Sequence, residues 1–132
     1  MTSDGLLDTS VLVGLETARV AGADLPERAA ISTMTIAELH LGVLVATDPG
    51  IRARRLRTLT FAEQAYEPVA VTAEVARRFA ELAASLRVER RRFPIIDTLI
   101  AATALAHDLP LFTQDADFAV FAGIDLRLLP GE

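Results

Sequence analysis

Short apolar runs alternate with longer segments of helical periodicity along most of this chain, and that alternation limits the possible folds more than any other feature. The runs expected to form strands are "GLLD" (5–8), "AAIS" (29–32), "EPVAV" (67–71), "LPLFT" (109–113) and "IDLRLL" (124–129). The segments expected to form helices are 9–16, 33–46, 51–65, 73–88, 96–108 and, more briefly, 115–121. Strand–helix alternation predicts a mostly parallel central sheet covered on both faces. We therefore expect an α/β fold with three α/β/α layers, formed by a single domain over residues 1–132.

Polar residues at the starts of the helical segments predict where several helices begin. Thr9 or Ser10 is expected to cap the first helix, and Thr72 the fourth. The candidates for capping the second helix are Ser32, Thr33 and Thr35. Asp48, Pro49 and Gly50 are expected to separate the second helix from the third, because this triplet is typical of breaks between elements.

Composition narrows the class of protein. The 132 residues are 52% hydrophobic, which is enough for a folded core, and there is no Cys for disulfides or thiolate metal sites. No apolar run reaches the roughly 18 residues of a membrane span, and the start lacks a signal-peptide pattern. We therefore expect a cytoplasmic protein. The net charge of −5 argues against a simple basic nucleic-acid binder.

Acidic residues follow the predicted strands or begin the helices next to them. Asp8 ends the first strand, Asp115 and Asp117 follow "LPLFT", Asp97 opens a helix, and Glu38 lies one turn into the helix after "AAIS". In parallel α/β sheets, ligands bind beyond the carboxyl ends of the strands. Carboxylates gathered there repel one another unless a cation joins them. Mg²⁺ and Mn²⁺ prefer such oxygen ligands.

Four of the five acids also have a structural alternative. Asp97 would interact favourably with its helix dipole, Asp8 would cap a helix, and Asp115 and Asp117 would be turn residues. Glu38 is harder to explain in this way, because it lies within an apolar helix and has no evident structural role. The shared edge of the sheet favours a site over a separate explanation for each acid.

Four segments in order resemble the signature segments of the PIN-domain nucleases, most closely the VapC-type toxins of bacterial toxin–antitoxin pairs. They are "LLDTSVLVGL", "ISTMTIAELHLG", "DTLIAATAL" and "LFTQDADF", and they extend from near the start of the chain to near its end. Each segment alone is a weak signal, whereas four in the right order are specific. The resemblance implies a PIN-like three-layer fold and a metal-dependent endoribonuclease.

The resemblance also implies roles for particular residues. The expected catalytic acids are Asp8, Glu38, Asp97 and Asp115. The expected ligands of Mg²⁺ or Mn²⁺ are Asp8, Asp97, Asp115 and Asp117, without a choice between the last two as the direct ligand. Thr9, Ser10 and Thr113 are expected to orient the acids or their waters. Family members are typically homodimers, and a small VapB-like antitoxin neutralises them, often by placing a basic side chain in the acidic pocket.

Two groups of arginines are candidates for contacts with partners. The first lies just before Asp97 and is expected to contact the RNA backbone, with a solvated connection as the alternative; it consists of Arg87, Arg90, Arg91 and Arg92. The second is expected to form an exposed helix face or a partner surface; it consists of Arg52, Arg54, Arg55 and Arg57. His40 and His107 are expected to be structural.

The second helical segment is strongly apolar and contains Gly42, together with Met34, Leu41, Val43 and Leu44. Because a glycine costs stability inside a helix, we expect close packing at Gly42 against the sheet or another protein. An apolar helix of this kind is compatible with a dimer interface or an antitoxin groove.

Other classes with acids at a sheet edge fit less well. Receiver-type phosphoacceptors and aspartate-nucleophile phosphatases rely on a Lys, and all 13 basic residues of this chain are Arg. The sequence has neither the P-loop nor the dinucleotide-binding glycine pattern. The remaining alternative is a catalytically inactive PIN-fold binding module whose acidic pocket receives a basic partner segment.

Overall fold

The computed structural model describes residues 3–130. The α-helices are α1 (Thr9–Glu16), α2 (Thr33–Val45), α3 (Pro49–Ala65), α4 (Ala73–Val88) and α5 (Ile95–Ala106). The strands are β1 (Gly5–Leu7), β2 (Ala29–Ser32), β3 (Glu67–Val69), β4 (Leu111–Thr113) and β5 (Leu126–Leu128). Short 3₁₀ helices occupy Gly22–Asp24 and Ala116–Val120. The predicted α/β class is confirmed.

The five strands form one sheet in the order β3-β2-β1-β4-β5, and every neighbouring pair is parallel. The chain builds outward from β1 to β2 and β3, and then returns to the other side of β1 to form β4 and β5. The winding therefore reverses between β1 and β4. In sheets of this kind, that point leaves a crevice beyond the carboxyl ends of the strands.

Successive residues in the central strands point to opposite faces of the sheet and enter two separate cores. Leu6 and Ala30 pack with α4 and α5, whereas Leu7 and Ile31 pack with α1, α2 and α3. All four side chains have no more than a trace of solvent exposure. Burial on both faces explains why these strands are apolar without alternation. The sheet between two helical layers is the predicted three-layer arrangement.

One helix cap and two α-helix starts differ from the first expectation. Asp8 caps α1 in place of Thr9 or Ser10, as its structural alternative predicted, by accepting a hydrogen bond from the Ser10 backbone N–H. The last α-helix, α5, begins at Ile95 instead of residue 96. Asp48 caps α3, which begins at Pro49 instead of residue 51. Proline suits the first turn of a helix because its missing N–H would have no helical partner there. Of the three candidates for α2, the cap is Ser32.

The packing at Gly42 also differs from expectation. Its neighbour within residues 3–130 is Arg55 of α3 rather than the sheet, and the Arg55 guanidinium donates to the Gly42 carbonyl at 2.8 Å. A Cβ at Gly42 would lie 3.7 Å from Arg55 Cδ, an ordinary contact, so close packing does not require glycine there. Leu41 and Leu44 are exposed on the same helix.

The second arginine group lies on α3, and all four of its side chains are exposed, as expected for an outer helix face. Arg54 forms an ion pair with Glu16 of α1. His40 and His107 are exposed as well. No helix within residues 3–130 is long and apolar enough to cross a bilayer.

Candidate active site

Asp8 lies at the point where the sheet reverses its winding, and protein donors hold one of its carboxylate oxygens. The side chain is only 4% exposed. Oδ2 accepts hydrogen bonds from the Ser10 hydroxyl at 2.8 Å and from the Thr113 hydroxyl at 2.9 Å. Thr113 ends β4, so this contact joins the two strands on either side of the switch point. Within residues 3–130, no protein group donates to Oδ1, which leaves this oxygen available to a ligand.

Hydroxyl groups hold Glu38 in a similar way. Glu38 lies one turn into α2, and its Oε1 accepts a 2.6 Å hydrogen bond from the Thr9 hydroxyl of α1. Thr9 Oγ1 also lies 3.0 Å from the hydroxyl of Thr35, which is fully buried. The two helices follow neighbouring strands, and so their first turns meet at the same edge of the sheet.

The loop after β4 brings the third acidic segment to this edge. Asp115 caps the short 3₁₀ helix, because its Oδ1 accepts a hydrogen bond from the Asp117 backbone N–H at 2.9 Å. The Asp115 N–H in turn donates to Thr113 Oγ1 at 2.9 Å. Thr113 thus connects the Asp8 carboxylate to the backbone of Asp115. Asp115 is partly buried, whereas Asp117 is exposed.

Asp97 completes the group from the first turn of α5. Burial, followed by the negative charges of Asp8, Glu38, Asp115 and Asp117, raises its pKa from 3.8 to about 6. These four carboxylates are therefore close enough to Asp97 to disfavour its ionisation. The structure brings together every acid that the sequence singled out.

No basic side chain within residues 3–130 forms an ion pair with these acids. Every ion pair within residues 3–130 uses other acids, and none includes Asp8, Glu38, Asp97, Asp115 or Asp117. The carboxylate oxygens of this group that accept no hydrogen bond are reached by solvent. In the described part of the chain, every fully buried side-chain oxygen or nitrogen has a hydrogen-bond partner. The chemistry of these donors fits a hard divalent cation.

The spacing of the carboxylates limits how such a cation would be held. In the described part of the chain, no three acidic or histidine side chains already form a group that could hold a metal ion. Mg²⁺ usually takes only one or two carboxylates directly and retains several waters. The five acids thus fit a hydrated ion, whereas three direct carboxylate ligands would require side chains to move.

The first arginine group divides between two places. Arg91 and Arg92 line a cavity of about 690 Å³ together with Asp97 and Asp117. Arg87 instead lies over the Phe93 ring, 5.3 Å from its centroid, and lines a separate apolar groove. Arg90 is exposed just past the end of α4. Only two of the four arginines therefore lie beside the acids.

Sequence reasoning missed the contribution of Thr35, which it considered only as a helix cap. A signal was present in the spacing, because residues three apart lie on the same side of a helix and Thr35 precedes Glu38 by three. It also missed Gln114, whose backbone N–H donates to the Ser10 hydroxyl at 3.1 Å. That contact depends on the position of β4 beside β1, which no local pattern reveals.

Comparison with known proteins agrees with this arrangement. The PIN domain family profile matches residues 5–124. Ribonuclease VapC4 of Mycobacterium tuberculosis is 40% identical over 126 residues, which cover 92% of this chain and 93% of that protein. Ribonuclease VapC8 of the same organism is 48% identical over 102 residues, which cover 76% and 89%.

A solved structure is similar over almost the whole chain. It is the crystal structure of VapBC-5, a member of the VapBC family of toxin–antitoxin systems from Mycobacterium tuberculosis. The TM-score is 0.81 and the identity 39%, over 98% of this chain and 99% of the matched chain. The chain therefore belongs to the PIN-domain family and, within it, to the VapC ribonucleases.

Proposed function

We propose that this protein is a metal-dependent endoribonuclease toxin that hydrolyses RNA phosphodiester bonds. The observation that carries the proposal is the group of five carboxylates at the switch point, none of which forms an ion pair within residues 3–130. Relatives named as ribonucleases, at 40% identity and above, support the same reaction.

Asp8, Asp97 and Asp115, with Asp117 nearby, are the residues that would hold Mg²⁺ or Mn²⁺. Such an ion supplies stabilisation of the charge on the phosphate and favours deprotonation of water. Within the described residues 3–130, Oδ1 of Asp8 has no protein donor, and so it is free to serve as a ligand. The Ser10 and Thr113 hydroxyls hold Oδ2 and thereby fix the direction of Oδ1.

Glu38 is proposed to orient the attacking water and accept its proton through Oε2, because Thr9 already occupies Oε1. The water oxygen forms a bond to phosphorus, and the bond to the leaving ribose oxygen breaks. That oxygen takes up a proton from solvent water, and Glu38 returns the proton that it accepted to solvent. Arg91 and Arg92 line the adjacent cavity and would contact the RNA backbone. These contacts position the RNA without selecting its sequence.

A small VapB-like antitoxin is the proposed partner, in agreement with the VapBC-5 complex. A cavity whose carboxylates form no ion pair within residues 3–130 is a suitable receptor for an Arg or Lys side chain of that partner. The same feature supports the second candidate function, a PIN-fold binding module without catalytic activity. Both functions depend on the same acidic residues, and so a measurement of RNA cleavage is needed to distinguish them.

The decisive experiment incubates the purified, partner-free chain with total RNA. The conditions are Mg²⁺, Mn²⁺ or a chelator, and the variants are Asp8→Asn and Asp4→Asn. Asp4 is an exposed acid four residues away that pairs with Arg28, and so it provides a matched control. We expect cleavage by the wild type and Asp4→Asn with metal only, and none by Asp8→Asn. Intact RNA in the presence of metal, or equal cutting by Asp8→Asn, would exclude the enzymatic proposal and leave the binding module.

A further inference from the structure

We propose that Thr35 is a positioning residue for the reaction, one that holds the Glu38 carboxylate in place through the Thr9 hydroxyl. This inference rests on the proposed function for the role of Glu38, but the contact itself is a property of the fold. Thr35 lies in the first turn of α2 and is fully buried. Within residues 3–130, the hydrogen-bond partner of its side chain is Thr9 Oγ1 at 3.0 Å.

The surroundings of Thr35 give its hydroxyl no other structural task. Ser32 already caps α2, and so the helix does not need a second capping side chain. Two other buried threonines, Thr98 and Thr103, donate to the backbone carbonyl four residues earlier in their own helix. Thr35 instead contacts a side chain of another helix. Burying the Thr35 hydroxyl costs free energy, whereas a valine of similar size at this position would not carry that cost. The cost indicates that the hydroxyl has a role in the contact with Thr9.

The number of hydroxyl protons determines which of the three side chains donates to which. An ionised carboxylate only accepts hydrogen bonds, and so the single Thr9 proton is directed to Glu38 Oε1, the shorter of its two contacts at 2.6 Å. The geometry of the 3.0 Å contact suits Thr9 as a donor to Thr35, but the carboxylate competes for the same proton. While Thr9 donates to Glu38, the contact is a hydrogen bond only with the Thr35 hydroxyl as its donor. The chain therefore runs from the Thr35 hydroxyl to Thr9 and on to Glu38. Thr35 keeps Thr9 turned toward the carboxylate and strengthens its donation.

The contact between Thr35 and Thr9 affects the orientation of the Glu38 carboxylate. Its Oε1 is bound by Thr9, and no other protein donor within residues 3–130 contacts the carboxylate. Without Thr35, the Thr9 hydroxyl is free to rotate toward water, and Glu38 loses its fixed orientation. Positional errors of this kind act on the chemical step more than on substrate binding.

The test compares Thr35→Val, Thr35→Ala and Thr35→Ser in steady-state RNA cleavage with Mg²⁺ or Mn²⁺. We expect Thr35→Val and Thr35→Ala to lower kcat about three- to tenfold with little change in KM, as expected for one lost hydrogen bond, while Thr35→Ser stays near wild type. Thr103→Val serves as the control for a buried threonine outside the site, and we expect it to keep kcat unchanged. If the valine variant fails to fold, the alanine and serine variants still differ by the hydroxyl alone.

Crystal structures of Thr35→Ala and Thr35→Ser supply a readout that is independent of activity. We expect the contact between Thr9 Oγ1 and Glu38 Oε1 to persist in the serine variant and to be lost or disordered in the alanine variant. An unchanged contact in Thr35→Ala overturns the proposal, as does equal kcat for the alanine and serine variants or an equal loss in Thr103→Val. If the wild type does not cut RNA, the proposed function has failed, while the crystal structures still decide whether Thr35 holds Glu38.

Discussion

The Thr113 hydroxyl donates a 2.9 Å hydrogen bond to Oδ2 of Asp8, across 105 positions of sequence. The same Thr113 oxygen accepts the Asp115 N–H. One fully buried side chain thus connects the first acidic segment to the last, at the point where the sheet reverses its winding. The arrangement of these acids depends on β1 and β4 being neighbours.

Thr113→Val should weaken both the fold and the proposed reaction. It removes the donor to Asp8 and leaves the Asp115 N–H without its acceptor, and so we expect a loss of about 1–3 kcal/mol in the free energy of unfolding. Urea unfolding and RNA cleavage measure the two effects. Thr113→Ser retains both hydrogen bonds and should stay close to wild type. Wild-type stability and cleavage in Thr113→Val would contradict a connecting role.

Asp97→Asn should stabilise the metal-free protein at about pH 7.5 but not at about pH 4. The pKa of Asp97 is raised to about 6, first by burial and then by its four acidic neighbours. The folded state therefore holds this proton more tightly than the unfolded chain does. Its contribution to stability is fully present below the unfolded pKa of 3.8 and is lost as the pH rises through about 6.

The amide introduced by Asp97→Asn carries no charge at either pH, and so the variant does not lose stability through ionisation at this position as the pH rises. We expect a gain of about 1 kcal/mol near neutral pH, reduced by solvent screening at this partly exposed site. Urea unfolding in chelator at the two pH values measures it. Asp125→Asn is the contrasting control, because a hydrogen bond from Arg127 lowers the pKa of Asp125. An equal gain at both pH values would show that charge repulsion is not the cause.

Arg91→Ala and Arg92→Ala should weaken RNA binding, whereas Arg87→Ala should not. Arg91 and Arg92 line the cavity beside Asp97, while Arg87 lies on the Phe93 ring. Each lost phosphate contact should raise KM several-fold and reduce the salt dependence of binding by about one unit of slope. Binding of a labelled RNA at several salt concentrations, with Asp8→Asn as the background to prevent cutting, measures this. Equal effects of Arg87→Ala and Arg91→Ala on RNA binding would contradict the proposal that the arginines of the cavity contact RNA and that Arg87 does not.

Gly14→Ala should destabilise the protein even though alanine favours helices. A Cβ at this buried position of α1 would lie 2.5 Å from Val20 Cγ2 and 2.6 Å from Gln114 Oε1. Overpacking of this kind costs about 1–3 kcal/mol, which outweighs the helix propensity gained. Urea unfolding measures the effect. At Gly22, an added Cβ meets nothing within 4 Å, so Gly22→Ala is the matched control and should change stability little. A stabilised Gly14→Ala would contradict the close contact.

Much of the fold could be predicted because it depends on local patterns. The strand "AAIS" and the fourth helix have the predicted bounds, Ala29–Ser32 and Ala73–Val88. Apolar periodicity and the Thr72 cap act over a few residues, and so both are visible in one sequence. The shared edge of the acids followed in turn from the parallel sheet. That step needed only the rule that parallel strands end on the same side.

Tertiary structure decided what depends on contacts between distant segments. The sequence did not indicate that Thr35 would contact Thr9, that Asp8 would accept a hydrogen bond from Thr113, or that Arg87 would turn away from Arg91. Each outcome depends on which strands are neighbours and how side chains pack, and these are properties of the whole fold. The sequence by itself determined which acids lie together and the edge of the sheet where they meet. The packing of β1 against β4 and of α1 against α2 determined which oxygen of Asp8 and which oxygen of Glu38 accepts a hydrogen bond, because hydrogen bonds depend on distances that local periodicity does not encode.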